Sequence, residues 1–311
     1  MIDLASPETA ELRERLADAL RANNPATPLT EKHLAAVLAD TTGNPGRMIR
    51  PQLVWLGGVR NGLSPDEADQ LACAIEYYHA ASLLLDDLPC MDNATMRRGR
   101  TCAHRKHGEA SAILAALSLI NRANALAQLA FATQPGAVRL RALAGLDCCL
   151  GPAGLTGGQA RDLRFAESTR TAREVSAIAL GKTGALIWLS ICLPTLPAEP
   201  NPIEWRMLKA LSVYWGLAYQ AVDDLRDVMC ATAQTGKTAN RDGTLRRPNL
   251  AHALGLPAAQ RRFARLLRQA QGALARLQRE GGKWDYLAAF HHTVFAGLAP
   301  EVNRASSHLA A

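Results

Sequence analysis

The chain has 311 residues, of which 48% are hydrophobic and 20% are charged, and its formal net charge is +7. This length can bury a sizeable core, and no apolar run approaches the roughly 18 residues of a membrane span. Aromatic residues make up only 5% of the chain, which argues against nucleic-acid binding. Seven cysteines without framework spacing, and no signal-like start, indicate reduced thiols and a cytoplasmic protein without a membrane span.

The sequence predicts a succession of helices. Three capping patterns mark helix starts: Ser64 with Glu67, Thr171 with Glu174, and Asn201 with Glu204. Long helices are predicted over 65–87, 110–132 and 205–230. Breaks are predicted at 23–28, 43–46, 151–158, 194–202 and 235–248. Because we find no alternating strand, no repeat and no break long enough for a linker, the sequence predicts one all-α domain over 1–311.

Two acidic clusters end apolar helices. Asp86 and Asp87 close the helix 65–87, and Asp92 follows Pro89. The second cluster, in 205–230, contains Asp223, Asp224 and Asp227, with the first and last on one helix face. Carboxylates crowded on an otherwise apolar surface are costly unless cations neutralise them. Magnesium binds through one or two carboxylates, water and substrate phosphate, so we expect magnesium at both clusters.

Basic residues accompany both clusters in positions that suit phosphate binding. They are Arg47, Arg50, His79, Arg97, Arg98, Lys182 and Lys237, with the pair Arg246 and Arg247 further on. Arginine binds phosphate through two parallel hydrogen bonds, and lysine acts as a point charge. The set Cys102, His104 and His107 lacks a second paired element, which disfavours zinc.

Four segments resemble the motifs of the trans-isoprenyl diphosphate synthases, the polyprenyl synthetase family. They are AIEYYHAASLLLDDLPCMD at 74–92 followed by RRG at 97–99, GGQARDL at 157–163, KTGAL at 182–186, and YQAVDDLRD at 219–227. The resemblance runs from about residue 43 to 256 in the family order. Within the family, the chain is most similar to bacterial geranylgeranyl diphosphate synthases of the carotenoid type.

The resemblance implies a single large helical domain of the isoprenoid synthase type, with helices around a central active-site cavity, in a homodimer. It implies condensation of isopentenyl diphosphate with an allylic diphosphate and three Mg²⁺ ions. The implied metal ligands are Asp86 and Asp92, with Asp87 in support, and Asp223, assisted by Asp227. The allylic diphosphate is expected at Arg97, Lys182 and Lys237, and isopentenyl diphosphate at Arg47, Arg50, His79 and Arg98. Thr183 and Gln220 are expected along the reacting centre.

The chain departs from the family pattern before the first acidic motif. PGRMIRP at 45–51 stands where the family has Gly-Gly-Lys-Arg-Leu-Arg-Pro, so one basic residue is lost. A lysine expected after the second motif is replaced by Arg246 or Arg247. These differences bear on affinity for isopentenyl diphosphate.

The length of the product is expected to depend on Ala81 and Ser82, five and four residues before Asp86. In farnesyl-producing relatives an aromatic residue commonly fills the fifth position, so alanine favours a C20 product. Tyr77 and Tyr78, one turn deeper, are an alternative stop for the growing chain. A farnesyl diphosphate synthase, a class I terpene cyclase and a non-catalytic partner subunit remain as alternatives.

Overall fold

A computed structural model describes residues 7–168, 171–229 and 247–296. The predicted site residues Lys237 and Arg246 lie outside these ranges. The described chain consists of helices and one two-stranded hairpin, so the all-α prediction is confirmed. The chain divides into two compact units, 5–141 and 142–311 together with 1–4. A single domain over 1–311 therefore stays a prediction.

The unit 5–141 is built around α4, whose residues from Leu71 to Tyr78 are all buried. Its helices are α1 (Pro7–Ala22), α2 (Lys32–Thr42), α3 (Ile49–Arg60), α4 (Pro65–Asp86), α5 (Ala103–His107) and α6 (Glu109–Ala130). The predicted start of α4 is confirmed: the Ser64 hydroxyl accepts a hydrogen bond from the Glu67 amide, and the Glu67 carboxylate accepts one from the Ser64 amide.

A short hairpin, which the sequence pattern did not reveal, follows α4. Strand β1 (Met96–Arg97) pairs antiparallel with β2 (Arg100–Thr101). Arg98 and Gly99 turn the chain between them with φ of 51° and 75°. A glycine accepts this left-handed conformation without steric cost. The hairpin places the two arginines that follow the first acidic motif at fixed positions.

The unit that begins at residue 142 contains the second acidic motif. The helix α7 (Gly136–Leu150) crosses the boundary. It is followed by α8 (Leu155–Leu163), α9 (Ala172–Ala179), a π-helical segment (Leu180–Gly184), α10 (Ala185–Cys192), α11 (Pro202–Met229), α12 (Leu250–Leu254), α13 (Leu256–Glu280) and α14 (Asp285–Ala296). Two predicted breaks are partly helical, since α8 begins at Leu155 and a 3₁₀ helix covers Leu193–Ala198.

Two helical runs of the described chain are long and apolar enough to cross a membrane by length and composition: Glu109–Ala130 and Ala172–Ala198. In the second run 67% of the most apolar window is buried inside the protein, and in the first 39%. Core helices pass the same test, so these runs are weak evidence for a membrane span.

Candidate active site

The first acidic motif separates its carboxylates by accessibility. Asp87 is buried, and its carboxylate accepts two hydrogen bonds from the Arg97 guanidinium, the Nε bond at 3.0 Å. Asp86 and Asp92 are partly exposed, and the Asp92 amide donates to the Asp86 carbonyl at 2.9 Å. Asp87 and Arg97 therefore form a partly buried ion pair that ties the hairpin to the end of α4. The two accessible carboxylates remain suited to cations.

A second cluster in the same unit gathers Arg50, His79 and Arg98. The His79 Nε2 atom lies 3.4 Å from a guanidinium nitrogen of each arginine. Burial, and then the charges of Arg50 and Arg98, hold the pKa of His79 well below its usual value. The ring is thus neutral near pH 7. The three residues predicted to bind isopentenyl diphosphate thus lie together, and two guanidinium groups beside a neutral imidazole are suited to an anion.

Glu76 is a member of this cluster that sequence reasoning did not single out. Its side chain is buried on α4, and Oε1 lies 3.8 Å from Nη2 of Arg98. Burial raises the pKa of Glu76 to about 7, although the charges of Arg98 and Arg50 lower it. Near pH 7 the Glu76 carboxyl is therefore partly ionised, and its negative charge offsets part of the positive charge of Arg50 and Arg98.

The loop before α3 closes around Arg98. The Arg98 Nη1 atom donates to the Asn44 carbonyl at 3.0 Å. A Cβ atom on Gly46, whose φ is 73°, would lie 2.7 Å from the Arg98 guanidinium carbon. The positive φ favours glycine there, and a larger residue would also displace the Arg98 guanidinium. Arg47, one residue further on, is exposed and has no place in the contacts around His79 that the structure describes.

Lys182 lies in the π-helical segment of the other unit. Its Nζ donates to Oδ2 of the buried Asp162 on α8 at 3.2 Å. The Arg247 Nε atom lies 3.8 Å from the same oxygen. Of the two arginines proposed to replace a family lysine, Arg247 is the one described, and it shares a counter-ion with Lys182. π-Helical turns inside α-helices are frequent at functional sites.

Glycines allow this segment to be packed backbone to backbone. A Cβ on Gly158 of α8 would lie 2.3 Å from the Lys182 amide nitrogen. On the other side, a Cβ on Gly216 of α11 would lie 2.8 Å from the Gly184 Cα. Any larger residue at either position would push the segment away. Gly158 of the GGQ motif and Gly184 of the KTG motif thus allow the backbone around Lys182 to pack closely between α8 and α11.

Thr183 and Gln220, both predicted at the reacting centre, are hydrogen-bonded to each other. The Thr183 hydroxyl donates to Gln220 Oε1 at 2.8 Å, and Gln220 Nε2 donates to Asp224 Oδ1 at 2.8 Å. Asp224 is buried and also accepts from the Leu250 amide at 2.7 Å. Asp224 therefore has a structural role, whereas Asp223 is exposed and Asp227 partly exposed.

The proposed product-length residues differ in accessibility. Ala81 has no exposed surface, and Ser82 is partly exposed. The hydroxyls of Tyr77 and Tyr78 are anchored at 2.6 Å, the first on the Leu20 carbonyl and the second on Asn124. These anchors hold both rings in place one turn below Ala81.

In the described ranges, no group of three or more His, Cys, Asp or Glu residues is arranged so that it could hold a metal ion by itself. Magnesium does not need one, because it retains water and takes phosphate oxygens from its substrate. The partly exposed Asp86 and Asp92, and the exposed Asp223, fit that pattern of donors. Of the zinc-like set, Cys102 and His104 are buried, and His107 Nε2 lies 3.0 Å from an Asp40 carboxylate oxygen.

These features are those expected of a helical protein that binds phosphorylated substrates with the help of cations. Residues 31–279 match the family model described as "Polyprenyl synthetase". The chain belongs to this family, and the prenyltransferase class predicted from its motifs is thereby confirmed.

Individual relatives carry two different names. The chain is 36% identical over 249 residues to the geranylgeranyl diphosphate synthase of Pseudescherichia vulneris, covering 75% of this chain and 79% of the relative. It is 34% identical over 244 residues to the farnesyl diphosphate synthase of Geobacillus stearothermophilus, covering 78% and 82%. Its fold is similar to a geranyltransferase from Helicobacter pylori, solved with magnesium and isoprenyl diphosphate. That match has a TM-score of 0.83 and 25% identity and covers 95% of this chain and all of the other.

Proposed function

We propose that the protein is a magnesium-dependent prenyl diphosphate synthase. It condenses isopentenyl diphosphate with allylic diphosphates of C5 to C15 and releases diphosphate, with geranylgeranyl diphosphate (C20) as the main product. The proposal rests on the presence of accessible aspartates in both motifs and of a cluster of Arg50, His79 and Arg98. A reaction between two diphosphates needs both kinds of site.

Asp86, Asp92 and Asp223, assisted by Asp227, would hold the magnesium ions, for which we propose three. Bound magnesium supplies electrostatic stabilisation of the departing diphosphate. A relative of similar fold was solved with magnesium, which supports this assignment. Arg97, held by Asp87, and Lys182, held by Asp162, would bind the allylic diphosphate. Lys237 is proposed for the same role from its motif.

The proposed reaction needs no protein nucleophile. The allylic carbon–oxygen bond breaks, and both electrons leave with the diphosphate. The isopentenyl double bond then attacks the allylic carbocation, and the released diphosphate accepts the proton lost from the new carbocation. Thr183 and Gln220, fixed to each other at 2.8 Å, would line the reacting centre and orient the chain.

The anion cluster also separates the proposal from its alternatives. A terpene cyclase acts on one diphosphate and has no need of the paired guanidinium groups of Arg50 and Arg98. A non-catalytic subunit would normally lose one acidic motif, whereas the accessible carboxylates of both are present. The synthase reading accounts for both features.

Product length is the finer part of the proposal. Ala81 supports C20, because it leaves room where an aromatic ring would shorten the cavity. A farnesyl diphosphate synthase (C15) is the second candidate, and the anchored rings of Tyr77 and Tyr78 favour it. Relatives of both kinds have similar identity, 36% and 34%.

We further propose a homodimer and a cytoplasmic location. One face of α6 leaves Leu114, Leu117 and Leu129 between 49% and 56% exposed. A second copy of the chain packed against this face would bury the apolar surface, and we propose α6 as the homodimer contact. Size-exclusion chromatography with light scattering would test the dimer, and Leu117→Glu should shift it toward monomer.

Substitution of the proposed metal ligands tests the site. Asp86→Ala and Asp223→Ala should each lower kcat by at least about 100-fold while the helical circular dichroism persists, because each removes a ligand that stabilises the leaving group. Asp66→Ala, an exposed carboxylate at the start of the same helix α4, is the matched control and should leave kcat near normal. Near-normal turnover of both site variants would reject the assignment.

A further inference from the structure

One exposed face of α13 carries a row of arginines. The helix has 25 residues, and Arg261, Arg265, Arg268, Arg276 and Arg279 are all exposed. At about 100° of rotation per residue these five lie within an arc of about 80°, and at about 1.5 Å per residue they extend over about 27 Å. We refer to these five residues as the arginine stripe.

The arginine stripe faces solvent, because the opposite face of α13 is buried. Phe263, Leu266, Leu274 and Leu277 occupy that face. Gly272 lies on the stripe itself, and a Cβ atom there would meet nothing within 4 Å. The surface around the middle of the stripe is therefore open.

The stripe carries positive charge without local compensation. Within the described residues, no ion pair joins any of its five arginines to a carboxylate. The one acidic residue of α13, Glu280, lies at its end and accepts a hydrogen bond from Asn201 at 3.2 Å. The sixth arginine, Arg262, is directed away from the stripe and donates to the Ser176 hydroxyl at 2.7 Å.

We propose that the arginine stripe binds the anionic phospholipid surface of a membrane. Guanidinium groups bind phosphate through paired hydrogen bonds, and a straight row of them suits a flat layer of headgroups. Each basic residue near an anionic bilayer adds a modest attraction, so five together give a reversible attachment. The buried apolar face rules out insertion of α13, so the contact is electrostatic and sensitive to salt.

The choice of a membrane over a nucleic acid has two reasons. The stripe contains no aromatic residue, whereas single-stranded nucleic acids are usually bound by stacking on aromatic rings. The second reason rests on the proposed function: a product with a C15 or C20 chain is amphiphilic, and a docked enzyme would release it beside the bilayer that dissolves it.

Co-sedimentation with vesicles tests the proposal on the full-length protein. Vesicles of phosphatidylcholine alone are compared with vesicles of phosphatidylcholine and phosphatidylserine, at low and at physiological salt. The wild type should bind only the anionic vesicles, and less at the higher salt. The triple variant Arg265→Gln, Arg268→Gln, Arg276→Gln should bind about 100-fold more weakly, because each lost charge removes about a fivefold factor of attraction.

The control variant carries Arg139→Gln, Arg173→Gln and Arg206→Gln, which remove the same charge from exposed positions off α13. It should bind as the wild type does. Equal binding by both triple variants, or no binding of anionic vesicles by the wild type, would overturn the proposal. Binding of duplex DNA without vesicle binding would also overturn it. Prenyl transfer measured without vesicles should be equal in all three proteins, so its absence would count against the proposed function and not against the stripe.

Discussion

Glu76→Gln should make the free protein more stable at alkaline pH. In the wild type, Glu76 is buried in the cluster of Arg50, His79 and Arg98. Burial raises the pKa of its carboxyl to about 7 from an ordinary 4.5. A raised carboxyl pKa means that the folded protein binds a proton more tightly than the unfolded chain does. The contribution of Glu76 to stability is therefore fully present below pH 4.5 and is lost as the pH rises through about 7.

The magnitude follows from the two pKa values. Their difference of about 2.5 units corresponds to about 3 kcal/mol at about 1.4 kcal/mol per unit. Glutamine has nearly the same shape and does not ionise. The stability of Glu76→Gln relative to wild type should therefore increase by about 2–3 kcal/mol between about pH 5 and pH 8.

Urea denaturation of both proteins at several pH values measures this difference. Glu109→Gln, which changes an exposed carboxyl at the start of α6, is the control and should follow the wild type at each pH. A difference between Glu76→Gln and wild type that stays constant with pH would refute the reasoning. It would mean that Glu76 does not change its charge in this range.

Three further substitutions test other parts of the structure. Arg97→Met should lower the free energy of unfolding, measured with urea, by about 3–5 kcal/mol, because it leaves the buried Asp87 carboxylate unpaired. A loss below about 1 kcal/mol would contradict the ion pair between Arg97 and Asp87. Ala81→Tyr should shift the product from C20 toward C15 in chromatography of the dephosphorylated prenyl alcohols, and unchanged C20 output would place the cavity floor elsewhere. Ser64→Ala should lower the stability by about 1 kcal/mol in the same urea assay, since α4 loses its N-cap, and an unchanged midpoint would show that the cap contributes nothing.

Local chemistry explains which elements could be predicted from the sequence. The start of α4 is encoded by Ser64, Pro65 and Glu67, which satisfy one another within one turn, so a single sequence suffices to find it. The hairpin at Met96–Arg97 and Arg100–Thr101 has strands of two residues, too short for any alternating pattern to appear. The π-helical segment was also missed, because it depends on close packing at Gly158 and Gly216 from other helices.

For the same reason, the sequence indicates only some of the residues of the candidate site. Charged residues crowded in short motifs, such as Asp86 with Asp92, are visible in the sequence as costly groups that need a partner. The different roles of Asp223 and Asp224 are not, because they depend on which of the two meets Gln220 and the Leu250 amide. Glu76 lies in an apolar stretch of α4 away from both acidic motifs, and only the fold brings Arg98 to within 3.8 Å of it.

The central claim is that the chain joins an allylic diphosphate to isopentenyl diphosphate with the help of magnesium. The most direct measurement incubates the purified protein with isopentenyl diphosphate and, separately, with C5, C10 and C15 allylic diphosphates, with and without Mg²⁺. We expect chain-extended prenyl diphosphates up to C20 and free diphosphate only when magnesium is present. No chain-extended product under any condition, or a hydrocarbon released from a single allylic substrate, would contradict the claim.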